Sequence, residues 1–179
     1  MEGAGEIIGI KFALGALSAY LESPISHYVD KEIDFQKLVN IDVDSLISML
    51  LAGKNDEQKV DILHAFIAQF NRPPSSELIR IRELVNHIKN NVDITKVEHL
   101  SEKSNISIRT IQRCFQQYLG LSPKWLIRKY RLHQALELLE QQKVNLLDIV
   151  ALLDYTDQSH LIRDFKDMTG VTPKKYIHK

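Results

Sequence analysis

One feature constrains this chain more than any other: part of it occurs twice. Ser107-Ile108-Arg109-Thr110-Ile111-Gln112-Arg113-Cys114-Phe115 and Asp157-Gln158-Ser159-His160-Leu161-Ile162-Arg163-Asp164-Phe165 carry apolar residues at matching places, Ile111 with Phe115 and Leu161 with Phe165. Each segment is followed by a glycine and then a proline, in Gly120-Leu121-Ser122-Pro123 and Gly170-Val171-Thr172-Pro173. A period of about 50 residues restricts the carboxy-terminal part to two copies of one supersecondary unit.

The residues within each copy say what that unit is. Thr95-Lys96-Val97-Glu98 has the spacing of a capping box and opens a short helix to Ser104. Asn105-Ile106-Ser107 then makes a tight turn, since Asn tolerates the left-handed conformation and Ser107 is a good N-cap. The next helix, 108–118, buries Ile108, Ile111 and Phe115 and leaves Arg109, Gln112, Arg113 and Gln116 outward. In the second copy Asn145 caps a helix through Leu153, Asp154-Tyr155-Thr156 turns, and Asp157 caps a helix. That helix turns Leu161, Ile162 and Phe165 inward and Gln158, Ser159, His160 and Arg163 outward. Two short helices joined by a three-residue turn form a helix-turn-helix. An Arg/Gln face on the second helix suits duplex DNA, because Arg donates two parallel bonds to guanine and Gln both donates to and accepts from adenine.

Between the copies, Pro123 at a helix first position and the apolar run Trp125, Leu126, Tyr130, Leu132, Ala135, Leu136 and Leu139 predict a long helix over 123–142. A rod of roughly 30 Å is close to the 34 Å pitch of B-DNA, so both outward faces can enter successive major-groove segments. Trp125 and Tyr130 are expected as core anchors of this rod, and Cys114 as a small core residue rather than a reactive thiol.

These motifs resemble the double helix-turn-helix of AraC/XylS-type bacterial transcription regulators. The likeness rests on Gly120-Leu121-Ser122-Pro123, Arg128-Lys129-Tyr130-Arg131-Leu132, Tyr155 through Lys166, and Gly170 through Tyr176, within residues 78–179. It implies a regulator that binds promoter DNA, with base contacts from Arg109, Gln112, Arg113, Gln158, Ser159, His160 and Arg163. Phosphate contacts are expected from Ser107, Thr110, Lys124, Arg128, Lys129, Arg131, Lys166, Lys174 and Lys175, and contact with RNA polymerase if the protein activates. Asn105 and Asp154 stand where such regulators usually place Gly, Val150 where they place a small Ala, and Leu152 at a position usually polar. The second unit is therefore the more divergent reader.

The net charge is zero, with 23 basic and 23 acidic residues, but the charges are not evenly spread. Residues 1–77 hold 6 basic and 12 acidic side chains, residues 78–179 hold 17 and 11. Only the second half attracts a polyanion. Asn71-Arg72-Pro73-Pro74-Ser75-Ser76 breaks the chain between them, which sets a module over 1–72, a linker over 73–77 and a DNA-binding domain over 78–179. Within that domain the units span about 96–119 and 145–169.

The expected class is predominantly all-α: two helix-turn-helix subdomains joined by a linker helix, preceded by a small acidic helical module with one residual strand. Ile7, Ile8, Ile10 and Phe12 predict that strand and Leu14–Leu21 a short helix. Residues 8–17 also resemble the end of the β-rich sensor domain in one branch of the family, making the module a remnant or the end of a sensor or dimerisation domain. Asp42 or Asp44 is expected to cap a helix carrying Leu46, Ile47, Leu50 and Leu51, and Asn55 one carrying Val60, Ile62, Leu63, Phe66, Ile67 and Phe70. Their apolar stripes need a partner, which the sequence leaves open between the other half, a second copy in a homodimer and a ligand.

Ile7–Leu21 is interrupted by Lys11, preceded by Glu2 and Glu6 and too short to span a bilayer, so a cytoplasmic protein is expected, with no membrane partner. The single cysteine excludes a disulfide framework or thiolate metal cluster, and no phosphate loop, dinucleotide fingerprint or nucleophile elbow occurs. No enzyme, cofactor or metal is expected. The alternative function is a protein–protein or dimerisation module whose acidic half masks weak DNA binding by the basic half.

Overall fold

A computed structural model describes residues 7–39, 42–140 and 145–177. Helices α1 Phe35–Leu38, α2 Val43–Ala52, α3 Asp56–Ile67, α4 Ser76–Asn90 and α5 Val97–Ser104 are followed by α6 Ile108–Leu119, α7 Pro123–Glu140, α8 Leu146–Leu152, α9 Gln158–Thr169 and α10 Pro173–Ile177. Among the described residues there is no strand. Two compact units arise. One comprises residues up to Ile79 with Gln117–Gly120, the other Arg80–Gln116 with the chain from Leu121 onward.

In the first unit the expected strand over residues 7–12 is absent, and the helix expected over Leu14–Leu21 shrinks to one 3-10 turn, Ala16–Ala19. A lone strand has no neighbour for its amides and carbonyls, and helices supply none. The apolar residues find burial another way: the Phe12 ring lies 5.1 Å from Phe70 and 6.3 Å from Phe35, in an aromatic cluster with Phe66 and Tyr20. Asp42, rather than Asp44, caps α2 by accepting from Ser45 N at 3.0 Å, and Asn55 caps α3 by accepting from Gln58 N at 2.9 Å. α3 ends before Phe70, which follows it in a turn.

The second unit holds both copies of the repeat. Ile81, Leu84, Val85 and Ile88 form the buried stripe of α4, and Leu100, Ile111 and Phe115 are sealed from solvent. Asn105 adopts φ 54°, ψ 36° at the end of α5, and Ser107 accepts from Thr110 N at 3.3 Å to open α6, as expected. The capping box at Thr95 is not formed: Lys96 is the N-cap of α5 and provides no side-chain bond. In the second copy Asn145 and Asp148 make a reciprocal capping box, Asp154 takes φ 52°, and Asp157 accepts from His160 N at 2.7 Å.

Pro123 starts α7 and Ser122 Oγ accepts from Trp125 N at 3.1 Å. Its 18 residues make a rod of about 27 Å. The expected final residues, 141–142, lie outside the described residues. Leu126, Ile127, Leu132, Ala135 and Leu139 are buried, and the last three join Ile149, Leu153, Tyr155, Leu161 and Phe165 in one core. Trp125 is not a core anchor: it is exposed, with Lys129 Nζ 5.3 Å from its ring centre, while Tyr130 is half-buried. The stripe of α7 runs through Leu126 and Ile127, one step round the helix from Trp125. Cys114 is half-buried.

Candidate nucleic-acid interface

Each helix-turn-helix positions its second helix by the same device. Two buried side chains four residues apart, Ile111 and Phe115 in α6 or Leu161 and Phe165 in α9, pin one face to the core and turn the opposite face out. On α6 this exposes Arg109, Gln112 and Arg113, with Thr110 half-buried and its hydroxyl 2.9 Å from that of Ser107. On α9, Ser159, Arg163 and Lys166 are exposed, and Gln158 and His160 are half-buried. The His160 ring stands edge-on to Tyr155 at 5.3 Å, with Nε2 3.8 Å from Asp164 Oδ1.

Part of each outward face meets at one cleft, which Arg109, Arg113, Gln158 and Ser159 do not line. Gln112 of α6 and His160 and Arg163 of α9 line one cleft of about 750 Å³, with Lys96 and Lys124 also on its wall. Lys124, Lys129, Lys174 and Lys175 are exposed. Arg128 and Arg131 also line the cleft but are engaged with acidic side chains of α9. Arg128 Nε is 3.0 Å from Asp164 Oδ1 and its Nη2 donates to Asp167 Oδ2 at 2.8 Å. Arg131 is 11% exposed, with Nη2 3.9 Å from Asp164 Oδ2 and its guanidinium stacked 3.9 Å from the Tyr155 ring centre. Burial works against the charge on Arg128, but Asp167 and Asp164 outweigh it and hold the guanidinium above its ordinary value. Burial pushes the Tyr155 phenol up, with Arg131 opposing and Asp164 assisting.

Two polar clusters thus escaped sequence reasoning. Asp164 is buried because its carboxylate meets Arg128 and Arg131 of another helix, and helical spacing reveals only its i,i+4 relation to His160. Asp154 accepts a hydrogen bond from Thr95 Oγ1 at 2.8 Å and lies 3.8 Å from Lys96 Nζ. The Thr95 bond holds this carboxyl below its ordinary value, with burial opposing and Lys96 assisting. No sequence signal joins residues so far apart.

Two capped helix-turn-helix units on one connecting helix, with Arg- and Gln-bearing second helices, define a double helix-turn-helix of the DNA-binding kind. Residues 100–179 match the family described as a helix-turn-helix domain. Over 124 residues the chain is 24% identical to the HTH-type transcriptional regulator GbdR of Pseudomonas aeruginosa, covering 69% of this chain and 32% of that one. Over 95 residues it is 30% identical to the HTH-type transcriptional activator RhaS of Mannheimia succiniciproducens, covering 53% and 34%. The chain therefore spans about a third of the length of these relatives. Among solved structures, the C-terminal domain of AraT, a response regulator from Geobacillus stearothermophilus, matches with a TM-score of 0.52 and 26% identity, covering 58% of this chain and 88% of that one. No helix among the described residues is long and apolar enough to cross a membrane.

Proposed function

We propose that the protein regulates transcription by binding promoter DNA sequence-specifically, α6 and α9 reading successive major-groove segments. The observation that carries this reading is the shared cleft, onto which Gln112 and Arg163 of the two second helices both open. Arg109, Gln112 and Arg113 read bases in one segment; Gln158, Ser159, His160 and Arg163 read them in the next. Lys124, Lys129, Lys166, Lys174 and Lys175 hold phosphates, with Ser107 and Thr110 donating their hydroxyls once the bond between them opens. Arg128 and Arg131 line the same cleft and are the weaker phosphate candidates in this reading, since Asp164 and Asp167 compete for them. The protein works in the cytoplasm and acts on RNA polymerase where it activates. Residues 1–72 provide a homodimer contact.

The test is selection of bound duplexes from random DNA. A consensus of two blocks about one helical turn apart is expected. Failure to enrich any sequence overturns the proposal.

A further inference from the structure

We propose that Asp154 is a positioning residue that sets which spacing of DNA half-sites the protein accepts, by tying the turn of the second helix-turn-helix to the entry of the first. This deepens the function proposed above and rests on it. The bond joins the segment just before α5 to the turn before α9. Thr95 lies one residue before Lys96, the N-cap of α5, and its hydroxyl, 3.3 Å from His99 Nδ1, donates to Asp154 Oδ2 at 2.8 Å, 59 residues away. Asp154 holds a left-handed backbone at φ 52°, a conformation that costs an aspartate more than a glycine. The neighbouring Asn145 and Asp157 spend their side chains on local caps, whereas the Asp154 carboxylate reaches across. The left-handed backbone at Asp154 accompanies a side-chain contact between the two helix-turn-helix copies.

That contact borders the cleft lined by Gln112 and Arg163, so it bears on the angle between the two reading faces. Recognition helices in successive grooves sit one turn of duplex apart, and each inserted base pair moves a half-site by about 3.4 Å and turns it by about 35°. A pair joined only by α7 can follow such a change; a pair also pinned at Asp154 cannot. The Lys96 ion pair adds little, since both side chains are more than half exposed. The hydroxyl–carboxylate bond uses the same exposed carboxylate but is the shorter and directional contact, 2.8 Å against 3.8 Å.

The variants follow from this. Asp154→Gly keeps the backbone conformation, so folding is preserved while the bond is lost. Thr95→Val removes the donor at constant shape. Asp154→Asn keeps both the left-handed preference and an oxygen acceptor, and serves as the rescue. Duplexes carrying the selected half-sites at the natural spacing and with one or two base pairs inserted are titrated with each protein. The unaltered protein is expected to lose about tenfold or more per inserted pair, Asp154→Gly and Thr95→Val less than about threefold, and Asp154→Asn to behave as the unaltered protein.

Spin labels at Gln116→Cys and Ala151→Cys in a Cys114→Ser background give a readout without DNA: a narrow distance distribution, broadened by Asp154→Gly. Equal spacing profiles, or equal distance distributions, for the unaltered protein and Asp154→Gly overturn the proposal. A one-block consensus overturns the spacing role while leaving the regulator reading intact. No enrichment at all overturns both, with the distance measurement still deciding whether the tie exists.

Discussion

Replacing Asp164 by alanine tests the inner network most directly. Its side chain is 7% exposed, and its carboxylate lies 3.0 Å from Arg128 Nε, 3.9 Å from Arg131 Nη2 and 3.8 Å from His160 Nε2. Stripping one partner from a buried ion pair costs about 3–5 kcal/mol, because the remaining charge stays desolvated. Here part of the loss is offset. Arg128 is 31% exposed and keeps Asp167 at 2.8 Å, and Arg131 keeps the face of Tyr155 at 3.9 Å. The expected loss is therefore about 2–3 kcal/mol for Asp164→Ala and about 1–2 kcal/mol for Asp164→Asn, which retains the shape but not the charge. With a urea dependence of about 1–3 kcal/mol per molar, the midpoint falls by roughly 0.7–3 M for the alanine variant. The single tryptophan, Trp125, sits on α7 and reports unfolding by fluorescence. Pairing Asp164→Ala with Arg131→Met should restore more than half of the loss, since it removes the stranded charge. A loss under about 0.5 kcal/mol for Asp164→Ala, or equal losses for alanine and asparagine, refutes the electrostatic reasoning.

Three further outcomes are expected. Gln112→Ala or Arg113→Ala should cost about 1–3 kcal/mol on the selected site and much less on random duplex, measured by fluorescence anisotropy; equal losses would make these phosphate contacts only. Binding should fall linearly with salt on logarithmic axes, with Lys124→Ala or Lys129→Ala each reducing the slope by about one and Arg131→Ala leaving it unchanged. For pH the sign follows from the lowered value of Asp154. An unfolded carboxylate takes up its proton first, so the contribution is fully present above the ordinary carboxylate value and is lost as pH falls through the lowered one. The stability difference between the unaltered protein and Asp154→Asn, from urea midpoints, should stay constant from pH 7 to 5 and shrink below about 4.

The repeat, the caps and the turns could be read from residues alone because each is a local bargain. Ser107, Asn145 and Asp157 satisfy amides within their own first turns, Asn105 and Asp154 tolerate the left-handed backbone, and Ile111/Phe115 and Leu161/Phe165 meet at helical spacing. The outward positions of Arg109, Gln112, Arg113, Ser159 and Arg163 follow from that spacing too.

Where the reading went astray, the deciding interaction was distant in sequence. Ile7 to Phe12 has strand composition, but a strand needs a partner, and Phe12 packs among Phe35 and Phe70 instead. Trp125 counted as apolar by pattern, yet the helix rotation fixed by Leu126 and Ile127 turns it to solvent. Thr95 has the spacing of a cap, but the N-cap of α5 is Lys96, and the Thr95 hydroxyl donates to Asp154. Nothing local in the sequence places Asp164 of α9 against Arg128 and Arg131. Local spacing therefore determined which helices form and which faces they turn out. Tertiary packing alone decided which charges remain free for a polyanion, because a Coulomb or hydrogen-bond partner is chosen by proximity in space, and residues tens of positions apart become neighbours only once the helices have docked.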